Sequence, residues 1–103
     1  MRSPRVAFET ILWQITAPGA RHKVVERDGK RIWLLELTDS FIENEWRLKG
    51  HVGYLIEGEL EFTFESRTER FKTGDGFLIR PTVDKHRARA ISPLDLLFAV
   101  EDA

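Results

Sequence analysis

The stretch Gly50 to Phe64 reads GHVGYLIEGELEFTF, and its pattern decides the fold class. His51 opens an apolar run that ends at Ile56, and Glu57-Gly58 then turns the chain. Beyond the turn, Leu60, Phe62 and Phe64 alternate strictly with Glu59, Glu61, Thr63 and Glu65. Successive side chains of an extended strand point to opposite faces, so this alternation describes a sheet with one dry face and one wet face. A histidine at the head of such a hairpin is either a buried ring, a metal ligand or a working acid or base.

Outward from the hairpin, the same grammar continues. Asp28-Gly29 separates His22–Arg27 from Lys30–Thr38, and that dipeptide suits a two-residue hairpin turn with positive φ at both positions. Trp33, Leu35 and Leu37 share one face of the second strand, with Ile32 and Leu34 on the other, so both faces are expected to be partly covered. A short strand is expected over Ile42–Trp46, ended by Lys49-Gly50. After a turn near Ser66-Arg67 come Thr68–Phe71, the tight loop Thr73-Gly74-Asp75-Gly76, Phe77–Ile79, a loop over Arg80–Lys85, His86–Ile91 and Leu94–Glu101. Phe8–Ile15 has apolar residues at 8, 11, 12 and 15, compatible with two helical turns or a strand. About ten short strands at regular turn spacing predict an all-β antiparallel sandwich or barrel. We expect one domain over 1–103, with 1–20 as an N-terminal arm or edge strand and 22–101 as the barrel.

Composition narrows the function classes. The chain has 103 residues, 42% hydrophobic and 32% charged, the balance of a folded soluble domain. A net charge of −1 gives no field to gather nucleic acid or an anionic membrane. The Arg80–Arg89 basic cluster is local, and no nucleic-acid role is expected. The absence of cysteine excludes disulfides, thiolate catalysis and thiolate-held zinc. No run approaches the ~20 apolar residues of a membrane helix, and the first residues lack the apolar core of a secretory signal, so no membrane partner and a cytoplasmic location are expected. Gly74-Asp75-Gly76 has two glycines and no following helix, too little for a phosphate cradle.

The block from His51 to His86 resembles the cupins, small jelly-roll barrels of the RmlC-like type whose strands form a double-stranded β-helix. Their first motif is G-x5-HxH-x3-4-E-x6-G and their second is G-x5-PxG-x2-H-x3-N. Gly58 follows His51 after six residues, so His51 stands where the family keeps its glutamate. The places of the HxH pair fall on Glu45 and Arg47 or on Asn44 and Trp46, with no histidine in either register. Pro81 and His86 keep the second motif's spacing, while Val83 replaces its glycine, Ala90 its asparagine, and Gly74 lies one residue too far upstream. The resemblance implies a small antiparallel jelly-roll barrel with a degenerate metal motif, and commonly a homodimer.

Three readings of the barrel interior follow. In the first, a small polar or anionic molecule binds without metal: Arg47 and Arg80 donate hydrogen bonds, His51 and His86 supply titratable groups, and Trp33, Trp46 and Phe77 form apolar walls. No cofactor is then expected. In the second, Glu45, His51 and His86 form a two-histidine, one-carboxylate set for iron, manganese, zinc or nickel, in a dioxygenase- or isomerase-like enzyme. Arg47 would then face the cation and offer no lone pair. In the third, the histidines are core groups and the domain is structural or regulatory. No catalytic partner stands at a diagnostic spacing, so no activity is assigned. Edge strands invite pairing, and Val6–Ile15 and Leu94–Val100 are the expected contacts of a symmetric dimer.

Overall fold

The structure, a computed structural model, describes residues 3–103. Their strands are β1 (Gln14–Ala17), β2 (Ala20–Arg27), β3 (Lys30–Thr38), β4 (His51–Glu57), β5 (Glu59–Phe64), β6 (Thr68–Lys72), β7 (Gly76–Ile79), β8 (His86–Ala90) and β9 (Leu94–Asp102). They form two antiparallel sheets, a six-stranded one in the order β1-β2-β3-β9-β4-β7 and a three-stranded one in the order β6-β5-β8. The fold is all-β, as the alternating pattern predicts. Asp28 and Gly29 adopt φ of 49° and 76° and close the β2–β3 hairpin on the Arg27–Lys30 pair. The ambiguous segment Phe8–Ile15 becomes one 3-10 turn, Phe8–Thr10, followed by the start of β1. Phe8 packs edge-on against Phe98 of β9.

The expected strand over Ile42–Trp46 is instead a bulged edge. Ile42 bridges Arg89 and Arg47 bridges His86, but nothing between them pairs regularly. Three steps separate Arg89 from His86 while five separate Ile42 from Arg47, so two residues are carried outside the ladder. Glu43 donates its N–H to the Ala88 carbonyl at 2.9 Å. A regular ladder would return the Ala88 N–H to the Glu43 carbonyl. Here the Glu43 side-chain Oε1 accepts it at 2.9 Å, so the carboxylate takes the place of the lost backbone partner.

The core lies between the sheets. Leu60 and Phe62 of β5 face Leu37, Leu55, Ile79 and Leu97, all buried. Phe62 is the aromatic centre, meeting Phe71 and Phe77 edge-on with centroids 5.3 Å away in each case. The wet face of β5 carries Glu61, which pairs across both neighbouring strands with Arg70 and Arg89 at 3.6 and 3.2 Å.

One end of the barrel is closed by the β4–β5 turn. Gly58 has φ +103°, and a Cβ there would fall 1.9 Å from Asp95 Oδ1. That oxygen accepts the Glu59 N–H at 2.9 Å, while Oδ2 is buried with no partner among the described residues. Burial pushes the Asp95 carboxyl up to about 6; the Glu59 N–H opposes the rise and the Glu59 charge adds to it. Among the described residues, no helix is long and apolar enough to cross a membrane.

Candidate functional site

The opposite end of the barrel is open. A cavity of about 250 Å³ lies between β3, β4 and β9 on one side and β5, β8 and the bulged 41–49 segment on the other. His51 enters it from the first position of β4 and His86 from the first position of β8, their rings edge-to-face with centroids 5.5 Å apart. His51 also meets Phe77 edge-on at 5.7 Å, and His86 meets Phe62 at 5.6 Å. His86 Nδ1 lies 3.0 Å from the Asp84 carbonyl, which can only accept, so Nδ1 carries a hydrogen. Among the described residues neither His86 Nε2 nor either nitrogen of His51 has a hydrogen-bond partner. Burial, and then the nearby His86, lower His51 to about 4, so its ring is neutral at physiological pH.

Charged groups gather at the mouth. Arg47 donates from Nε to Glu43 Oε2 at 2.8 Å, and its side chain is 61% exposed. Glu101, the last inward residue of β9, accepts from Trp33 Nε1 at 2.6 Å, with Lys49 Nζ 3.6 Å from its other oxygen. Glu43 and Glu101 are mostly buried, whereas Arg47 and Lys49 reach towards solvent. The deeper walls are carbon: Leu35, Leu37, Phe41, Leu60, Leu97 and Ala99.

Of the residues singled out in the sequence, Trp33, Arg47, His51, Phe77 and His86 line this cavity together. Trp46 does not; it lies on the outside, 39% exposed, with the Arg87 guanidinium 4.4 Å over its ring. Arg80 is exposed and grips Asp84 through Nε and Nη2 at 2.9 Å each, bonds that hold Asp84 down at about 2. Glu45 sits at the bend of the bulge, exposed, because the two extra residues interrupt the inward alternation there. Glu43, Lys49 and Glu101 are cavity residues that motif spacing does not mark. The signal that could have found them is parity: 43, 47, 49 and 51 share one phase of the extended chain, and Glu101 continues the inward row of Leu97 and Ala99.

The donor set does not fit a tridentate metal centre. Two imidazoles converge, but Glu45 is outside, and Glu43 already accepts from Ala88 N–H and from a guanidinium. Among the described residues no three His, Cys, Asp or Glu side chains gather as metal ligands. The Glu45, His51 and His86 set of the metal reading, one of the three the sequence left open, is therefore not assembled among the described residues.

The sequence profile of the AraC-like ligand-binding domain matches residues 36–97, more than half of the chain. Several solved structures share the fold. KdgF from a Halomonas species superposes with a TM-score of 0.78 at 21% identity, covering 91% of this chain and 89% of that one. An RmlC-like cupin from Shewanella frigidimarina gives 0.79 at 14% identity, covering 98% and 91%. The polyketide cyclase RemF from Streptomyces resistomycificus gives 0.79 at 16% identity, covering 98% and 80%. A sequence comparison with curated proteins finds no match. At these identities the structures establish the fold alone, whereas the profile carries the family. The chain belongs to the AraC-like ligand-binding domain family, built on the cupin jelly roll.

Proposed function

We propose that the chain is a binding module that holds a small polar or anionic molecule in the barrel interior without a resident metal. The observation that supports this most directly is the concentration of unengaged polar capacity in one apolar cavity. Two imidazoles face it with free nitrogens, and the terminal amino groups of Arg47 have no partner among the described residues. Small-molecule sites are typically concave and apolar, with a few convergent polar groups. The family to which the chain belongs is one of ligand-binding domains, which agrees. The lack of cysteine suits a reducing compartment such as the cytoplasm.

The test is a thermal-shift screen of small carboxylates and sugars against the parent and a cavity-filling variant, Ala88→Leu. A true ligand raises the melting temperature of the parent and not of the variant, because stabilisation follows occupancy of the folded site. A screen in which no compound distinguishes the two proteins refutes the reading.

We also propose a homodimer through the outer face of the six-stranded sheet. Leu78, Val52, Val100 and Ile32 stand in register across four strands of that face, and Leu78 is 70% exposed. Val52 is exposed as well, Val100 and Ile32 are half-buried, and an apolar row of this kind is a typical association surface. Light scattering is expected to give twice the chain mass for the parent and the single-chain mass for Leu78→Asp. A single-chain mass for the parent at micromolar concentration overturns the dimer.

A further inference from the structure

We infer that the cavity selects an amphipathic monocarboxylate: a flat apolar body seated inward, its carboxylate at the mouth on Arg47 and Lys49, and a hydrogen-bond donor on the body facing His86. This rests on the reading of the barrel interior as a ligand site and narrows it to one chemical class.

The distribution of polar atoms separates the candidate ligands. Leu37, Leu60, Leu97 and Ala99 line the inner walls with carbon only. A polyol seated there leaves hydroxyls unpaired, at roughly tenfold in affinity for each. An apolar ring makes good use of the same surface. At the mouth, both carboxylates are already engaged: Glu43 by Ala88 N–H and Arg47 Nε, and Glu101 by Trp33 Nε1. The donor left over there is Arg47, which keeps its two terminal amino groups; Lys49 Nζ is ion-paired with Glu101 Oε2 at 3.6 Å, longer than a hydrogen bond, and turns to a ligand carboxylate by sharing that partner. A guanidinium edge of this kind accepts a carboxylate through parallel hydrogen bonds.

The histidines set the character of the middle of the ligand. His51 is neutral at pH 7, so the interior adds no charge of its own at that ring. Because His86 Nδ1 donates to Asp84 O, Nε2 is the ring atom left to accept a hydrogen bond. A hydroxyl or N–H on the ligand body satisfies it, and a carbonyl or ether does not. The volume, about 250 Å³, equals roughly eight waters, which limits the ligand to on the order of ten non-hydrogen atoms. One ring bearing a carboxylate and a hydroxyl meets every condition.

Titration calorimetry with 4-hydroxybenzoate, benzoate, 4-hydroxybenzamide and gluconate tests this on the whole chain. We expect 4-hydroxybenzoate to bind best, benzoate about tenfold more weakly for want of the donor, and the amide at least tenfold more weakly for want of the charge. Gluconate should give no heat. Arg47→Met should lose at least tenfold towards 4-hydroxybenzoate and leave the amide unchanged. Lys49→Met, at a side chain that is 53% exposed, repeats that comparison should the first variant fold poorly. Ala88→Leu should abolish all binding. Gluconate bound as tightly as 4-hydroxybenzoate, and lost in Ala88→Leu, overturns the inference while leaving the interior site standing. Equal losses for acid and amide in Arg47→Met also overturn it. No binding by any probe, or binding that Ala88→Leu leaves intact, overturns both.

Discussion

Replacing Asp95 by asparagine should gain stability over the parent as pH rises from about 4 to 6, and keep that gain at higher pH. The carboxyl is wholly buried, with one oxygen on the Glu59 N–H and the other facing no donor. Its folded value of about 6 against the ordinary 3.8 means that the folded state holds the proton more tightly than the unfolded chain. The contribution is therefore complete below pH 3.8 and lost as pH rises through 6. At pH 8 the charged form costs about 3 kcal/mol relative to a neutral side chain. Asparagine keeps an oxygen for the Glu59 N–H and never ionises. Its amide nitrogen still lacks an acceptor, a penalty that is the same at every pH. The diagnostic quantity is thus the change between two conditions: urea unfolding of parent and variant at pH 8 and pH 4 should differ in their ΔΔG by about 2.5 kcal/mol in favour of the variant at pH 8, because at pH 4 the unfolded carboxyl is already about half ionised. In thermal melts the same gap is roughly 10–20 °C for a domain of this size. An identical ΔΔG at both pH values would refute the reasoning, because it would mean that the charge is solvated where it sits.

Other substitutions probe the remaining features. His51 titrates with the opposite sign: lowered from 6.5 to about 4, it makes the fold lose about 3 kcal/mol on acidification through that window, and His51→Gln in the Asp95→Asn background should flatten the acid limb in urea titrations. Glu43→Ala strands the Ala88 N–H and should cost about 1–3 kcal/mol by chemical denaturation, whereas Glu43→Gln, which keeps an acceptor oxygen, should cost less than half as much. A Cβ at Gly53 would lie 2.2 Å from the Phe77 ring, so Gly53→Ala should destabilise by about 1–3 kcal/mol, with partial recovery when Phe77→Leu is added. Phe62→Ala removes the centre of the aromatic cluster and should cost about 3–5 kcal/mol, read as a lower denaturation midpoint with an unchanged slope.

The fold was legible because period-2 alternation and turn chemistry are local. Leu60, Phe62 and Phe64 declare the inner face of β5, and Asp28-Gly29 declares its turn without help from the rest of the chain. The pairing of His51 with His86 in one cavity was legible only through the spacing of Gly58 and Pro81 around them. What escaped was the path of 42–47, where the motif spacing left two registers open. The two extra residues loop outward without changing the parity on either side, so Glu45 lies outside although it shares the parity of Glu43 and Arg47, which line the cavity. Trp46 and Arg80 illustrate a second limit. Each finds a nearby charged partner on the surface, Arg87 for the ring and Asp84 for the guanidinium, and side-chain preference alone does not distinguish such an outer pair from a wall of the cavity.

The bulge also frees chain length from strand register. Ile42 and Arg47 are pinned to β8, and Glu43 fastens the intervening stretch from the side, so residues 44–46 form a loop hung on two fixed posts. One residue could be added or removed there without moving β8 or turning any core side chain over. The lip that frames the barrel opening is accordingly open to editing: insertions at this spot can reshape the entrance while the fold beneath stays put.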